Sequence, residues 1–226
     1  MAMRREIVLD TETTGLDPRL GHRLVEIACL ELANHLPTGR IFQTYLNPER
    51  AMSADAEAIH GLGDAFLADQ PLFAEKVAAL LEFIADSTLV IHNAEFDLGF
   101  LNAELGRLGF PPIPAKRAVD TVALARRKYP GQPASLDALC QRLGIDNSKR
   151  QLHGARLDAE LLAEVYLELV GGRQASIELV AGATDAASAA QRAPRAARAH
   201  APSEAERAAH AALLARLKAP LWTADC

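Results

Sequence analysis

The sequence predicts an α/β protein, a mixed sheet flanked by helices, and three observations carry that expectation. Three apolar segments come first, at 5–11, 23–33 and 40–46, and the last two alternate apolar and polar residues as strands do. A helical pattern follows, and strand-like and helix-like patterns then succeed one another as far as the Gly171-Gly172 pair. Half of the 226 residues are hydrophobic and 23% are charged, so a full core can be buried.

Short polar connections between the first three segments suggest an antiparallel meander. Pro71 begins a helical pattern in which Phe73, Val77, Leu80, Leu81 and Ile84 recur at 3–4 spacing. Ser87–His92 reads as a buried strand. Ala94–Leu108 reads as a helix, stopped by Gly109 and the prolines at 111, 112 and 114. Arg117–Thr121 is a further short strand, followed by helices near 121–129, 135–143 and 154–170. The composition then changes, with alanine supplying 20 of the 53 residues after Arg173. Residues 181–202 lack a periodic pattern of large apolar side chains and read as a flexible linker. Helix signals return at 203–218, where Ser203 is an N-cap and Glu206 completes a capping box, with Leu213, Leu214 and Leu217 beyond. Leu221 and Trp222 follow. The expected organisation is one domain over 1–173, then a linker and a short docking helix over 174–226.

Composition excludes several classes. Three cysteines, Cys29, Cys140 and Cys226, are odd in number and widely spaced, so no disulfide framework or CxxC zinc pattern can be built. The first apolar run, Ile7–Leu9, is too short for a signal-peptide core, and no stretch approaches the ~18 apolar residues of a membrane span. A cytoplasmic protein with no membrane contact is expected. Residues 1–173 hold 18 basic and 24 acidic side chains, and residues 174–226 hold 6 and 5. That balance argues against gripping long duplex by charge alone. It leaves room for an enzyme whose carboxylates hold metal ions that meet a phosphate.

The chemistry-bearing residues fall in three places. Asp10 and Glu12, two apart at the end of the first strand, share one face of it. Side by side they repel, which suggests a cation between them, and oxygen ligands favour Mg²⁺ or Mn²⁺ over zinc. Asp97 falls on the first turn of the 94–108 helix, just beyond a strand end where α/β sheets bind ligands. Asn93 is placed to cap that helix. His153 and Asp158 bracket the start of the last helix. Five residues rotate about 500° in a helix, so the two meet only if His153 lies on the preceding loop, which Gly154 permits. Histidine there is suited to accept a proton near neutral pH.

In this order the segments resemble the DEDD superfamily of 3′–5′ exonucleases, in its histidine-bearing DEDDh branch. Asp10 and Glu12 match its first motif, Asp97 its second, and His153 with Asp158 its third. Further stretches are similar to proofreading exonucleases of bacterial replicative polymerases: Leu9–Leu16, Ile59–Leu62, Val90–Asn93, Ser135–Cys140, Asp146–Arg150 and Leu162–Leu167. The resemblance spans about residues 4–172 and implies an RNase H-like fold.

The resemblance further implies that two divalent ions, Mg²⁺ or Mn²⁺, are held by Asp10, Glu12 and Asp158, with Asp97 acting partly through water. His153 takes the proton of the attacking water, and the terminal phosphodiester at a DNA 3′ end is hydrolysed. His60 matches a residue near the terminal nucleotide. Asp55, or in another alignment Glu57, matches an acid at its 3′ hydroxyl. Thr11, Thr13 and Leu16 are expected to hold or wedge the terminal base. These motifs alone fit RNA as well as DNA, and the polymerase-like tail favours DNA. In that tail Gln174, Ile177 and Leu179 resemble a sliding-clamp-binding peptide, with a weak clamp contact implied. Leu213, Leu217, Leu221 and Trp222 resemble the segment that tethers such subunits to a polymerase alpha subunit, and a small theta-like subunit is a further possible partner.

Overall fold

The computed structural model describes residues 4–150, 152–171 and 201–217. The chain divides into two compact units, residues 1–177 and 178–226. In the first unit β1 (Arg5–Thr13), β2 (Leu24–Ala33) and β3 (Leu36–Tyr45) form the expected antiparallel meander. Strands β4 (Thr88–Ile91) and β5 (Ala118–Asp120) add to the other side of β1, each parallel to its neighbour, giving the order β3-β2-β1-β4-β5. Strand β1 is therefore central, and the C-terminal ends of β1, β4 and β5 share one edge, the usual place for a ligand site.

The two-residue period of β1 sorts its side chains between two cores. Ile7 and Leu9 join Ile27 and Cys29 of β2 against α3 (Phe73–Ile84) and α4 (Ala94–Arg107). Val8 joins Ala28, Leu30 and Leu32 against α6 (Leu136–Leu143) and α7 (Ala155–Leu169), where Leu139, Ala159, Leu162 and Val165 are buried. The positions sharing the Val8 face are acidic at both ends of the strand. Glu6, at the start, accepts the Tyr166 hydroxyl at 2.7 Å. Asp10 and Glu12 end that face near the start of α7. The register shifts between Glu12 and Thr13, an irregularity that redirects the chain as it leaves the sheet.

Two helices lie where none is expected from periodicity, α1 (Ala54–His60) and α2 (Asp64–Leu67). Each is at most seven residues long, and α1 buries only Ala56 and His60, so no repeating apolar stripe exists to be read. Their local signals are present all the same. The Ser53 hydroxyl accepts the Ala56 N–H at 3.3 Å, and Gly61 closes α1 at φ 74°. Helix α3 begins at Phe73, two residues past Pro71, with the Glu75 carboxylate accepting the Leu72 N–H at 2.7 Å. Helix α5 (Thr121–Lys128) starts directly from β5, with Asp120 as its cap.

In the second unit α8 (Glu204–Leu214) forms behind the expected Ser203–Glu206 capping box and ends short of residue 218. It buries no side chain; Leu213 and Leu217 are 54% and 51% exposed. Gln174, Ile177, Leu179, Leu221, Trp222 and the 181–200 part of the expected linker lie outside the described residues. Among the described residues, no helix is long and apolar enough to cross a membrane.

Leu162 is fully buried between α7 and the sheet. Leu162→Ala is expected to cost about 2–5 kcal/mol, read as a lower urea midpoint at unchanged slope. A loss well under ~1 kcal/mol would contradict this packing.

Candidate active site

Three elements bring the predicted residues to the C-terminal edge of the sheet. Asp10 and Glu12 come from the end of β1 on the face that α7 covers. Asp97 comes from the first turn of α4, 3% exposed, and accepts the Thr11 hydroxyl at 2.7 Å. Asn93 turns the chain from β4 into α4 with a left-handed φ of 67°. Its side chain makes no cap bond, contrary to the capping role expected from sequence; its own N–H is held by Asp120 Oδ1 at 3.2 Å. His153 lies on the loop before Gly154, the N-cap of α7, and Asp158 lies one turn inside the helix, as the rotation argument requires. The His153 N–H is fixed by the Ile59 carbonyl at 3.0 Å.

Glu12, His153 and Asp158 each present an atom to a common point, those atoms lying within 4.8 Å of one another. His153 Nδ1 is 3.4 Å from Asp158 Oδ2. Asp10 lines a cleft of about 250 Å³ together with His153 and Asp158. Burial, then the charges of Asp97, Glu12 and Asp158, push the Asp10 carboxyl well above the usual carboxylate range. Burial, then Asp158 and Glu26, push Glu12 up to about 8. Burial pushes Asp97 up to about 7 against its bond from Thr11. Acids that resist ionising together in a desolvated pocket favour a cation, and their carboxylate oxygens suit a hard divalent ion, with the His153 imidazole beside the ligand set rather than in it. The donor set fits the metal that the sequence reading implied.

Sequence reading gave no role to Arg150. Its side chain is only 8% exposed, and it meets Asp158 through two bonds, Nε to Oδ1 at 2.6 Å and Nη2 to Oδ2 at 2.7 Å. Nη1 reaches Asp137 at 2.7 Å, and Nη2 lies 2.9 Å from His153 Nδ1. Guanidinium only donates, so the Nδ1 lone pair is turned toward this cluster. Asn147 Nδ2 also donates to Asp137, at 2.9 Å, so Asp137 anchors the 146–150 turn. Two of the family-like stretches, 135–140 and 146–150, are thereby tied together.

Beside Glu12 a second cleft, of about 500 Å³, is lined by Thr11, Thr13, Leu16, Asp55 and His60. Leu16 is 82% exposed at its rim. The Thr13 hydroxyl donates to the Gly15 carbonyl at 2.6 Å, so the hydroxyl protons of Thr11 and Thr13 are both committed within the protein. His60 is 7% exposed, and both ring nitrogens are engaged. Nδ1 accepts the Leu62 N–H at 3.0 Å, and Nε2 donates to the Thr13 carbonyl at 3.3 Å, which ties α1 to the end of β1. Burial lowers its pKa, in keeping with a neutral ring. Of the two candidate acids, Asp55 lines the cleft. Glu57 turns toward Gly63, where an added Cβ would come to 2.7 Å from its Oε1. At Gly15 an added Cβ would overlap the His22 ring, so a larger residue there would have to displace that side chain.

Comparisons with known proteins give the family and the fold. Residues 7–166 match the family model described as Exonuclease. DNA polymerase III subunit epsilon of Rickettsia felis is 55% identical over 183 residues, covering 80% of each chain. The subunit of that name from Escherichia coli is 45% identical over 191 residues, covering 81% of this chain and 78% of that one. Among solved structures, exonuclease X in complex with 5′ overhanging duplex DNA superposes with a TM-score of 0.57 at 27% identity, over 73% of this chain and 90% of that one. The nuclease domain of 3′hExo, a DEDDh family member, bound to rAMP, superposes with a TM-score of 0.64 over 75% and 92%; at 18% identity this likeness speaks to the fold.

The raised acids have a consequence for stability. Between about pH 5 and pH 8 the folded chain holds protons on Glu12 and Asp97 that the unfolded chain has lost, so stability falls as pH rises. The lowered carboxyls Asp17, Glu31, Asp137, Asp146 and Glu206 ionise below that window, and the lowered His60 and His92 oppose the trend only in its acid half, up to the ordinary histidine value of 6.5. In chelator, the urea midpoint should be lower at pH 8 than at pH 6.5, where the histidines no longer oppose the acids, and added Mg²⁺ should raise it more at pH 8. A midpoint that rises over that interval in chelator would contradict the assigned acid cluster.

Proposed function

The chain belongs to the exonuclease family, in its DEDDh branch, and from that premise we propose that it is the proofreading 3′–5′ exonuclease subunit of a replicative DNA polymerase. The observation that carries the reading is that Asp10, Asp158 and His153 share one cleft while Glu12 brings a carboxylate within 4.8 Å of His153 and Asp158, with Asp97 close enough to raise Asp10. Divalent metal use goes with the family. Two ions, Mg²⁺ or Mn²⁺, held by Asp10, Glu12 and Asp158 with Asp97 beside them, would supply an activated water and stabilise charge on the leaving oxygen.

The chain's own residues supply the rest. The cleft beside Glu12 takes the 3′-terminal nucleotide, with Leu16 against the base and Asp55 toward the 3′ hydroxyl. His60 holds the main chain at Thr13, and Thr11 holds Asp97, so both shape the floor of this cleft. His153 receives the proton of the attacking water on Nδ1, at the lone pair that Arg150 Nη2 contacts and yields on proton transfer. The water oxygen bonds to phosphorus, and the bond to the 3′ oxygen of the preceding nucleotide breaks. The products are a nucleoside 5′-monophosphate and DNA one residue shorter. A mispaired end frays at a lower cost than a paired one, so preference for mismatches needs no base-specific contact.

The second unit serves the polymerase in this reading. Its exposed Leu213 and Leu217, with Leu221 and Trp222, dock on the polymerase alpha subunit, and residues 174–202 act as a linker to the 1–173 exonuclease domain. Gln174, Ile177 and Leu179 make a weak sliding-clamp contact. Tethering raises the local concentration of the exonuclease at the DNA 3′ end without further contact surface. A theta-like subunit completes the proposed partners, and the protein works in the cytoplasm.

Purified protein should shorten single-stranded DNA from its 3′ end with Mg²⁺ or Mn²⁺ and stop in chelator. Asp10→Ala should abolish turnover while leaving the chelator melting temperature unchanged or raised, because like charges crowd Asp10. His153→Ala should lower kcat about 10²–10⁴-fold at neutral pH. Full activity of Asp10→Ala would overturn the assignment.

A further inference from the structure

Helix α7 carries Asp158 and follows directly on His153, yet it begins without a local cap, since Gly154 has no side chain to offer. Its first N–H is satisfied from another strand. Glu26 Oε2, on β2, accepts the Ala155 N–H at 3.0 Å. Glu26 is 2% exposed. Its Oε1 accepts from Gln43 Nε2 at 2.7 Å. It lies directly opposite Glu12 in the β1–β2 register and opposite Tyr45 in the β2–β3 register. One buried carboxylate beside Glu12 thus grips the peptide between His153 and Asp158.

This arrangement is costly, because a second buried acid next to Glu12 adds repulsion at the site. A local cap would not take its place. Gly154 has extended backbone open to any residue, and an added Cβ there meets nothing within 4 Å, so a serine would fit and would cap the Arg156 or Leu157 N–H, still leaving the Ala155 N–H to Glu26. The His153 ring itself has few constraints. Its side chain is 47% exposed, and the partners on its ring are Arg150 and Asp158. Besides those two contacts its direction is set by the main chain, held by the Ile59 carbonyl at His153 and by Glu26 two residues later.

We propose that Glu26 is a positioning residue of the reaction, fixing the 153–155 main chain so that His153 and Asp158 face the same water. The proposal rests on the nuclease reading. Glu26 touches no substrate; it acts through the Ala155 N–H.

The test compares Glu26→Ala and Glu26→Gln in the full chain. Glu26→Gln keeps an oxygen acceptor for Ala155, with Gln43 free to flip its amide. Glu26→Ala should lower kcat on a single-stranded DNA oligonucleotide about tenfold or more, with KM within about twofold. The same variant should lose hydrogen-exchange protection at the Ala155 amide and shift the His153 imidazole NMR signals. Glu26→Gln should restore most of kcat and of the protection. Should Glu26→Ala not fold, Gln43→Ala, which removes one bond aiming the carboxylate, should show the same changes to a smaller degree. Unchanged kcat and unchanged Ala155 protection in the alanine variants would overturn the proposal. So would Glu26→Gln being as defective as Glu26→Ala, which would assign the effect to charge. The exchange and NMR readouts do not need turnover. An inactive parent protein would therefore sink the nuclease reading and leave the Glu26 contact separately tested.

Discussion

Carboxylates crowded into one desolvated end of the sheet set the terms for the rest of this structure. Asp10, Glu12 and Asp97 are each pushed above their ordinary range, and burial is the first cause in every case. A fold driven only by stability would not assemble them, since each ionised pair loses hydration and gains repulsion. The surrounding chain offsets part of that cost with specific donors. Thr11 donates to Asp97, Arg150 meets both oxygens of Asp158, and Gln43 and the Ala155 N–H satisfy Glu26. The remaining imbalance is what a divalent cation would relieve.

The same constraint explains the division of labour on β1. Its even positions carry Val8 into the α7 core and then, without changing face, Asp10 and Glu12 into the cleft. Its odd positions carry Ile7 and Leu9 into the opposite core, and then Thr11, whose hydroxyl reaches across to Asp97 on α4. One strand thereby links both helical layers to the same acids. Rigid placement of this kind keeps a catalytic constellation within the narrow tolerances that hydrolysis needs.

What was legible in the sequence follows from which signals are local. The meander, α3, α4, α6 and α7 show long apolar patterns, and the acid pair on β1 shows itself by its spacing. The loop position of His153 was legible because helical rotation forbids the alternative. Helices α1 and α2 were not, being too short to show a period. Nor were the contacts that join distant segments. Arg150 has no visible role in its polar turn until Asp137 and Asp158 close on it, and the pairing of Glu26 with Ala155 spans 129 residues. The motif places His60 near the terminal nucleotide, and in the fold it lines that cleft with both nitrogens bonded to main-chain groups, contacts no local pattern shows. Asn93 looked like a helix cap, and its left-handed backbone turned out to matter more than its side chain.

The central claim is that acids from β1, α4 and α7 form one cation-binding centre. Anomalous scattering from crystals soaked in Mn²⁺ tests it most directly. Two peaks in contact with Asp10, Glu12 and Asp158, near His153, are the expected result. Mn²⁺ absent from this cleft at saturating concentration, or bound only elsewhere on the chain, would contradict it.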